Sequence, residues 1–279
     1  MIQNTPSTWG PWAVVTGASS GIGAEFARAL AARGIHVVLV ARREALLREL
    51  ALDLADRHGT DHRVVVADLA TPEGASRVLA ETADLDVGLL VSNAGAGQPG
   101  AFLPADPGDL HRRLRLNVGA HLDLVHGFAT RFVARGGGAV EIVSALGAVD
   151  GIAHMAHDAA SKAYVASLGA GLHRELAPHG ITVSVLLPGN VDTPIIDQFG
   201  LTADDLPMSP YPVDRAVAGA LKALERGRPS HVPDPRMRWI TRLVPAAIRL
   251  RVNGRMLGRA ARRLAEAAPE QSRGAPAGV

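Results

Sequence analysis

The sequence predicts an α/β fold, a doubly wound parallel sheet of about seven strands with helices on both faces. Three observations lead there. Short apolar runs of strand length alternate with amphipathic helical patterns along most of the 279 residues. The first such run, Trp12-Ala13-Val14-Val15, feeds a glycine-rich turn that opens a helical stretch from Ala24. The composition, 47% hydrophobic and 20% charged with no cysteine, suits one globular α/β domain with additions and excludes a disulfide framework.

The turn reads Thr16-Gly17-Ala18-Ser19-Ser20-Gly21-Ile22-Gly23. Strand, glycine turn and helix in that order is the Rossmann-type context of a dinucleotide site. Glycine lets the backbone turn tightly and approach a pyrophosphate, and the helix start offers free N–H groups and a positive dipole end. Gly17, Ser19, Ser20, Gly21, Ile22 and Gly23 are the expected phosphate cradle. Gly17-Ala18-Ser19-Ser20-Gly21 also fits the G-x-S-x-G elbow of hydrolases, but the longer dinucleotide match explains the same residues more fully.

The second strand, Ile35 to Val40, runs into Ala41-Arg42-Arg43 before a helix from Glu44 to Arg57. An acidic residue at this strand end would bond the ribose 2′-hydroxyl of NAD. Arginines instead match a 2′-phosphate in charge and fork geometry, so NADP(H) is the expected cofactor. A third strand, Arg63 to Ala67, ends at Asp68; with Asp68 we count Leu69 as a cofactor contact. Thr71-Pro72-Glu73 starts the next helix, with a hydroxyl cap and proline at its first position. The fourth strand, Asp86 to Val91, ends in Ser92-Asn93-Ala94-Gly95, where small residues admit a flat cofactor to the backbone. One long helix is expected from Pro107 to Arg135, carrying Asn117 among apolar neighbours, as a buried amide that needs partners. Gly136-Gly137-Gly138 breaks to a fifth strand, Ala139 to Val143, ending at Ser144. Asp158-Ala159-Ala160-Ser161-Lys162 opens a helix running through Leu176. A sixth strand, Ile181 to Leu187, closes at Pro188-Gly189, and Val191 and Thr193 just beyond join the expected cofactor contacts. The irregular, proline-rich stretch from Val191 to Tyr211 is placed to cover a substrate. A helix over Val213 to Arg226 and a short strand over Ser230 to Val232 complete the sheet.

The net charge of +2 hides an asymmetry. From Asp234 onward, ten arginines face Asp234, Glu266 and Glu270, giving about +7 and leaving roughly −5 on the body. Ile248, Val252, Met256, Ala260 and Leu264 recur every fourth residue among these arginines, a basic amphipathic helix. Such a helix can lie on an anionic membrane surface, or cover a neighbouring subunit or its own body with arginine stems. No reading motif for nucleic acid accompanies the charge. The expected organisation is an N-terminal extension over 1–11, a dinucleotide-binding domain over 12–233 and a basic extension over 234–279 with a disordered end from Pro269. Neither a secretory signal nor a spanning apolar run is visible, and a cytoplasmic location is expected.

These residues together resemble the short-chain dehydrogenases/reductases. The match comprises Thr16-Gly17 with Gly21-Ile22-Gly23, then Asp68, Asn93-Ala94-Gly95, Asn117, Ser144, Lys162 and Pro188-Gly189, across roughly 12–233. The resemblance implies a nicotinamide cofactor, a small-molecule substrate, a homodimer or homotetramer, and a catalytic set of Asn, Ser, Tyr and Lys. In it the phenol exchanges a proton with the substrate oxygen, the lysine lowers the phenol pKa and holds the ribose, the serine bonds the same oxygen, and the asparagine supports a water chain. Asn117, Ser144 and Lys162 match. Four residues before Lys162, however, the tyrosine is replaced by Asp158.

Asp158 and Lys162 stand i and i+4 on one helix face and are expected to pair, favouring a charged carboxylate that accepts protons rather than giving them. Another group must then supply a proton; His154 and His157 are the nearby candidates. His154, His157 and Asp158 also suggest a metal set, but no fourth ligand is evident and Lys162 would repel a cation, so none is expected. The reading is an NADP(H)-binding oxidoreductase acting on a carbonyl or hydroxyl of a small apolar or polycyclic metabolite, with an atypical proton donor. The alternatives are a non-redox cyclase, dehydratase or isomerase holding the cofactor as structure, and a catalytically silent nucleotide-binding scaffold.

Overall fold

The computed structural model describes residues 9–267. Most of the 1–11 extension and the disorder expected from Pro269 onward lie outside them. Seven strands form one parallel sheet: β1 (Trp12–Thr16), β2 (His36–Ala41), β3 (His62–Val66), β4 (Val87–Ser92), β5 (Gly138–Val143), β6 (Ile181–Leu186) and β7 (Ser230–His231), ordered β3-β2-β1-β4-β5-β6-β7. The order reverses between β1 and β4, and a crevice opens there at the carboxyl ends, where open α/β sheets bind ligands.

Strand periodicity assigns the two faces. Val37 and Leu39 point into one core, beneath α1 (Gly21–Ala31), α2 (Glu44–His58) and α8 (Val213–Glu225). Val38 and Val40 point into the other, with α3 (Pro72–Glu81), α5 (Ala120–Arg135) and α6 (Ala156–Glu175) above it. A strand buried on both faces reads as a continuous apolar run, which is why β2 showed no polar alternation.

The helix expected over 107–135 is interrupted. α4 (Pro107–Leu114) passes into one π-helical turn, Arg115–Gly119, before α5 continues. The widened turn carries Asn117, fully buried. Such turns occur frequently at functional sites. Apolar periodicity could not show it, because the apolar stripe resumes on the far side.

Elsewhere boundaries shift slightly. α6 starts at Ala156, so His157 is helical, and β7 ends at His231. The 191–211 stretch holds one short α-helix, α7 (Ile195–Gln198), and one 3-10 turn, Ala203–Asp205. The basic tail forms two helices, α9 (Pro235–Leu243) and α10 (Ala246–Ala267). Among the described residues no helix is long and apolar enough to cross a membrane.

Phe132 anchors α5 to the sheet. It is fully buried, and a side chain on Gly138 of β5 would fall within 2.5 Å of its ring. Phe132→Ala is expected to cost about 3–5 kcal/mol and to lower the melting temperature by roughly 10 °C in a circular-dichroism melt. A loss within about 2 °C would mean that this contact does not hold the layer.

Candidate active site

The first half of the crevice is the glycine turn. Gly17 takes φ +68°, and a Cβ there would lie 2.7 Å from the Asn93 amide nitrogen. A Cβ on Gly23 would collide with the Gly17 carbonyl, so α1 starts hard against the turn. Ser20 occupies the N-cap of α1 but its side chain makes no capping bond, leaving the first-turn N–H groups for a ligand. Instead Arg43 donates to both serines, at 2.9 Å to Ser19 Oγ and 2.8 Å to Ser20 Oγ. Arg42 and Arg43 both line the crevice, as do Asp68 and Leu69. Asp68 Oδ1 accepts the Ala70 N–H, fixing the turn after β3.

The turn after β4 is held from three sides. The Thr16 hydroxyl accepts the N–H groups of Asn93 and Ala94 at 2.9 and 3.0 Å, and the Asn93 amide donates to the Thr16 carbonyl. The Asn117 side chain clamps Ala96, accepting its N–H at 2.9 Å and donating to its carbonyl at 2.8 Å, and reaches Ser161 Oγ at 3.1 Å. His121 Nε2 lies 3.0 Å from the Ala94 carbonyl and Nδ1 2.8 Å from Ser92 Oγ. Burial, with the Lys162 charge nearby, pushes His121 down to about 3. It is therefore neutral, with Nε2–H donating to the carbonyl and Nδ1 accepting the serine proton. His121 escaped sequence reasoning; its signal was the i+4 spacing from Asn117, which puts both on the helix face toward this turn.

Lys162 lies at the junction. Its Nζ donates to the Val143 carbonyl at 3.1 Å and passes so close to Gly95 that a Cβ there would be 2.8 Å from it. Burial pushes the ammonium down to about 8, against the opposing charge of Asp158. Ser144 is buried beside it, donating to the Lys162 carbonyl at 2.7 Å.

The expected Asp158–Lys162 contact does not form. Asp158 Oδ2 accepts the Gln98 N–H at 3.0 Å and faces Arg113 at 3.6 Å; its Oδ1 has no partner among the described residues. The reason is that the Lys162 side chain is drawn to the β5 strand end while Asp158 is drawn to the opposite wall. Both still line the crevice. His154 and His157 do not. His154 adopts φ +66°, its carbonyl accepts the Gly100 N–H, and its ring packs against Gly258 of α10. His157 is half-buried in α6 with Nε2 unpartnered among the described residues. Neither tyrosine enters: Tyr164 is exposed and Tyr211 pairs along its backbone with Val191. Among the described residues no group of three or more His, Cys, Asp or Glu is placed to hold a metal.

Beyond Lys162 the crevice widens into an apolar chamber, the whole cleft measuring about 1160 Å³. Met155, Phe199 and Met208 form one wall; Met237 and Ile240 of α9 and Val244 just beyond it form the other, with Met256 and Leu257 of α10 behind. Residues of the 191–211 stretch and of the tail thus line one cleft. Arg249 ties the two tail helices together, donating to the carbonyls of Thr241 and Val244 while bonding Asp150 at 2.6 Å. Arg263 grips Asp205 of the cover through two nitrogens, at 2.6 and 2.9 Å.

A family model described as short chain dehydrogenase matches residues 11–203. The chain is 32% identical to a 7beta-hydroxysteroid dehydrogenase of Clostridium sardiniense over 192 residues, covering 69% of this chain and 74% of that protein. It is 34% identical over 188 residues to a human protein named inactive hydroxysteroid dehydrogenase-like protein 1, covering 66% of this chain but spanning only 57% of that protein's length. A solved short-chain dehydrogenase of Sphingobium yanoikuyae in complex with NADPH superposes with a TM-score of 0.76 at 32% identity, covering 93% of this chain and 97% of that one. The chain belongs to the short-chain dehydrogenase family.

The buried lysine has a consequence for stability. In the unfolded chain it titrates near the ordinary lysine value of 10.5, and in the folded one burial brings it down to about 8. Between those values the unfolded state holds the extra proton, so stability rises with pH there; below about 8 both states are charged and this contribution is flat. Relative to Lys162→Met, the parent is expected to gain up to about 3 kcal/mol of unfolding free energy from pH 8 to pH 10.5, read by urea denaturation at both. A difference independent of pH would show that the amine is solvated.

Proposed function

We propose that this member of the short-chain dehydrogenase family is an NADP(H)-dependent oxidoreductase acting on the carbonyl or hydroxyl of an apolar, polycyclic metabolite. The observation that carries the reading is one continuous cleft: a glycine turn with an uncapped helix start, two arginines at its outer end, Lys162 and Ser144 at its middle and an apolar chamber beyond. The donor set fits the cofactor. The N–H groups of Gly21, Ile22 and Gly23 would take the pyrophosphate, Arg42 and Arg43 the 2′-phosphate, and Asn93 to Gly95 the ring face. When bound, the nicotinamide supplies or accepts hydride. The similarity to a hydroxysteroid dehydrogenase supports a polycyclic substrate.

The chain's own residues must handle the proton. With neither histidine nor tyrosine in the cleft, Lys162 is the group whose titration lies near neutrality and whose ammonium lines it. A general acid works best with a pKa near the working pH. Lys162 would hold the proton for the substrate oxygen, and the Ser144 hydroxyl would orient that oxygen by turning from the Lys162 carbonyl. Asp158, whose negative charge raises the lysine pKa, keeps the proton on Nζ at pH 7.

Two measurements test this reading. Fluorescence titration is expected to show tighter binding of NADPH than NADH, and Arg43→Ala to weaken NADPH by about tenfold to a hundredfold while leaving NADH unchanged. With a panel of bulky ketones, kcat/KM for reduction is expected to hold below pH 8 and then fall about tenfold per pH unit. Asp158→Asn moves that fall to lower pH, because it removes the anion favouring the charged lysine.

The replaced tyrosine favours a second reading, a site that binds nucleotide without redox turnover; the similarity to a human protein named inactive bears on it. Its signature is NADPH binding with no turnover by the parent and reductase activity in Asp158→Tyr. Absence of nucleotide binding would remove both readings.

A further inference from the structure

The outward face of the tail helices is unlike the rest of the surface. On α9, Trp239 and Leu243 are i and i+4 and stand 63% and 70% exposed, while Met237 and Ile240, with Val244 just beyond the helix, line the cleft. On α10, Ile248 and Val252 are about half exposed yet also line the cleft, so its mouth and this exposed face are one continuous surface. Helical spacing puts Arg251, Arg255, Arg259 and Arg262 within the same arc as Ile248 and Val252. Among the described residues, the tail's other arginines have work: Arg236 pairs with Asp234, Arg249 with Asp150 and Arg263 with Asp205, and Arg238 donates to the Val232 carbonyl. Arg242, Arg251, Arg255, Arg259 and Arg262 have no acidic partner among the described residues, and Glu266 is the one acidic residue in 235–267.

We propose that this face docks on an anionic lipid bilayer, with Trp239 and Leu243 in the headgroup region and the unpaired arginines on lipid phosphates and carboxylates. Exposed apolar side chains beside a row of free guanidinium groups complement a surface that is apolar below and negative above. Trp is suited to that boundary, having an apolar body and one polar N–H. Each arginine near such a surface contributes about fivefold in partitioning, falling off within a Debye length. Docking would set the cleft mouth against the bilayer, so an apolar substrate would enter from lipid rather than through water. That last step rests on the chamber being the substrate site; the docking does not.

The test uses the full chain and vesicles of phosphatidylcholine with 30% phosphatidylserine, with pure phosphatidylcholine as reference. Co-sedimentation is expected with the anionic vesicles at 0.1 M salt, at least tenfold weaker with the neutral ones and lost at 0.5 M salt. Of the three tryptophans, Trp9 is buried and Trp239 exposed. Brominated lipid is therefore expected to quench emission in the parent and not in Trp239→Phe. The triple variant R251E/R255E/R259E is expected to lose at least tenfold in vesicle binding while binding NADPH like the parent, which certifies its fold. The proposal is overturned by no sedimentation on anionic vesicles, by sedimentation without Trp239 quenching, or by a triple variant that binds unchanged. It is equally overturned if sedimentation velocity shows a dimer that the triple variant dissolves, since a second copy would then cover the face. NADPH binding is scored separately, so failure here and failure of the oxidoreductase reading are distinguishable.

Discussion

The hydroxyl of Thr16 joins the two strand ends between which everything else is arranged. A parallel sheet leaves the last N–H groups of its central strands without ladder partners, and in a crevice these need satisfying. Thr16 accepts two of them, from Asn93 and Ala94, and so fixes the turn after β4 against the turn after β1. Asn117 and His121 then brace the same turn from the helix above, by Ala96 and Ala94. Only with that backbone fixed can Lys162 run past Gly95 to the end of β5. The π-helical turn belongs to this constraint: it places Asn117 where its amide meets both backbone groups of Ala96.

Electrostatics follows from the same packing. Bringing Lys162 between Gly95 and β5 removes it from water, which lowers its proton affinity; Asp158 on the same helix restores part of it without touching it. His121 lies within reach of the same positive charge and is neutral, which keeps it a fixed hydrogen-bond donor rather than a titrating one. The buried groups near the junction thus differ: burial lowers the proton affinity of Lys162, while His121 and Asn117 hold backbone in place.

Much of this was legible in the sequence. The fold was, because seven apolar runs in βαβ spacing admit few topologies and the glycine turn fixes which end binds. The lining of the crevice at the strand ends was, because strand-end positions are set by local register; Gly17, Arg43, Asp68 and Asn93 all line it. Two things were not. The i,i+4 rule brought Asp158 and Lys162 to one helix face, but contact between long side chains is decided by what stands opposite, here the Val143 carbonyl and Arg113. Likewise, nothing local told which way His154 would turn; its carbonyl bond to Gly100 and its place against Gly258 are tertiary. The tail's amphipathic pattern was visible, yet that Met237 and Ile240 line the chamber is tertiary, the tail being tied to the body by Arg249 on Asp150 and by Arg263 on Asp205.

The surroundings of Asp158 argue that the aspartate is built in rather than tolerated. A carboxylate exchanged for a phenol in an otherwise unchanged pocket would be buried without partners, at a cost of several kcal/mol. Here one oxygen has the Gln98 N–H and the guanidinium of Arg113, itself mostly buried, while the other is unpartnered in a group that lines the cleft. Arg113 has its Nε unpartnered as well, so the pair is held by charge more than by saturated hydrogen bonding. A phenol at position 158 would leave that guanidinium facing a neutral group. The pocket around position 158 is therefore built about a carboxylate, with the Gln98 N–H and the Arg113 guanidinium on one of its oxygens.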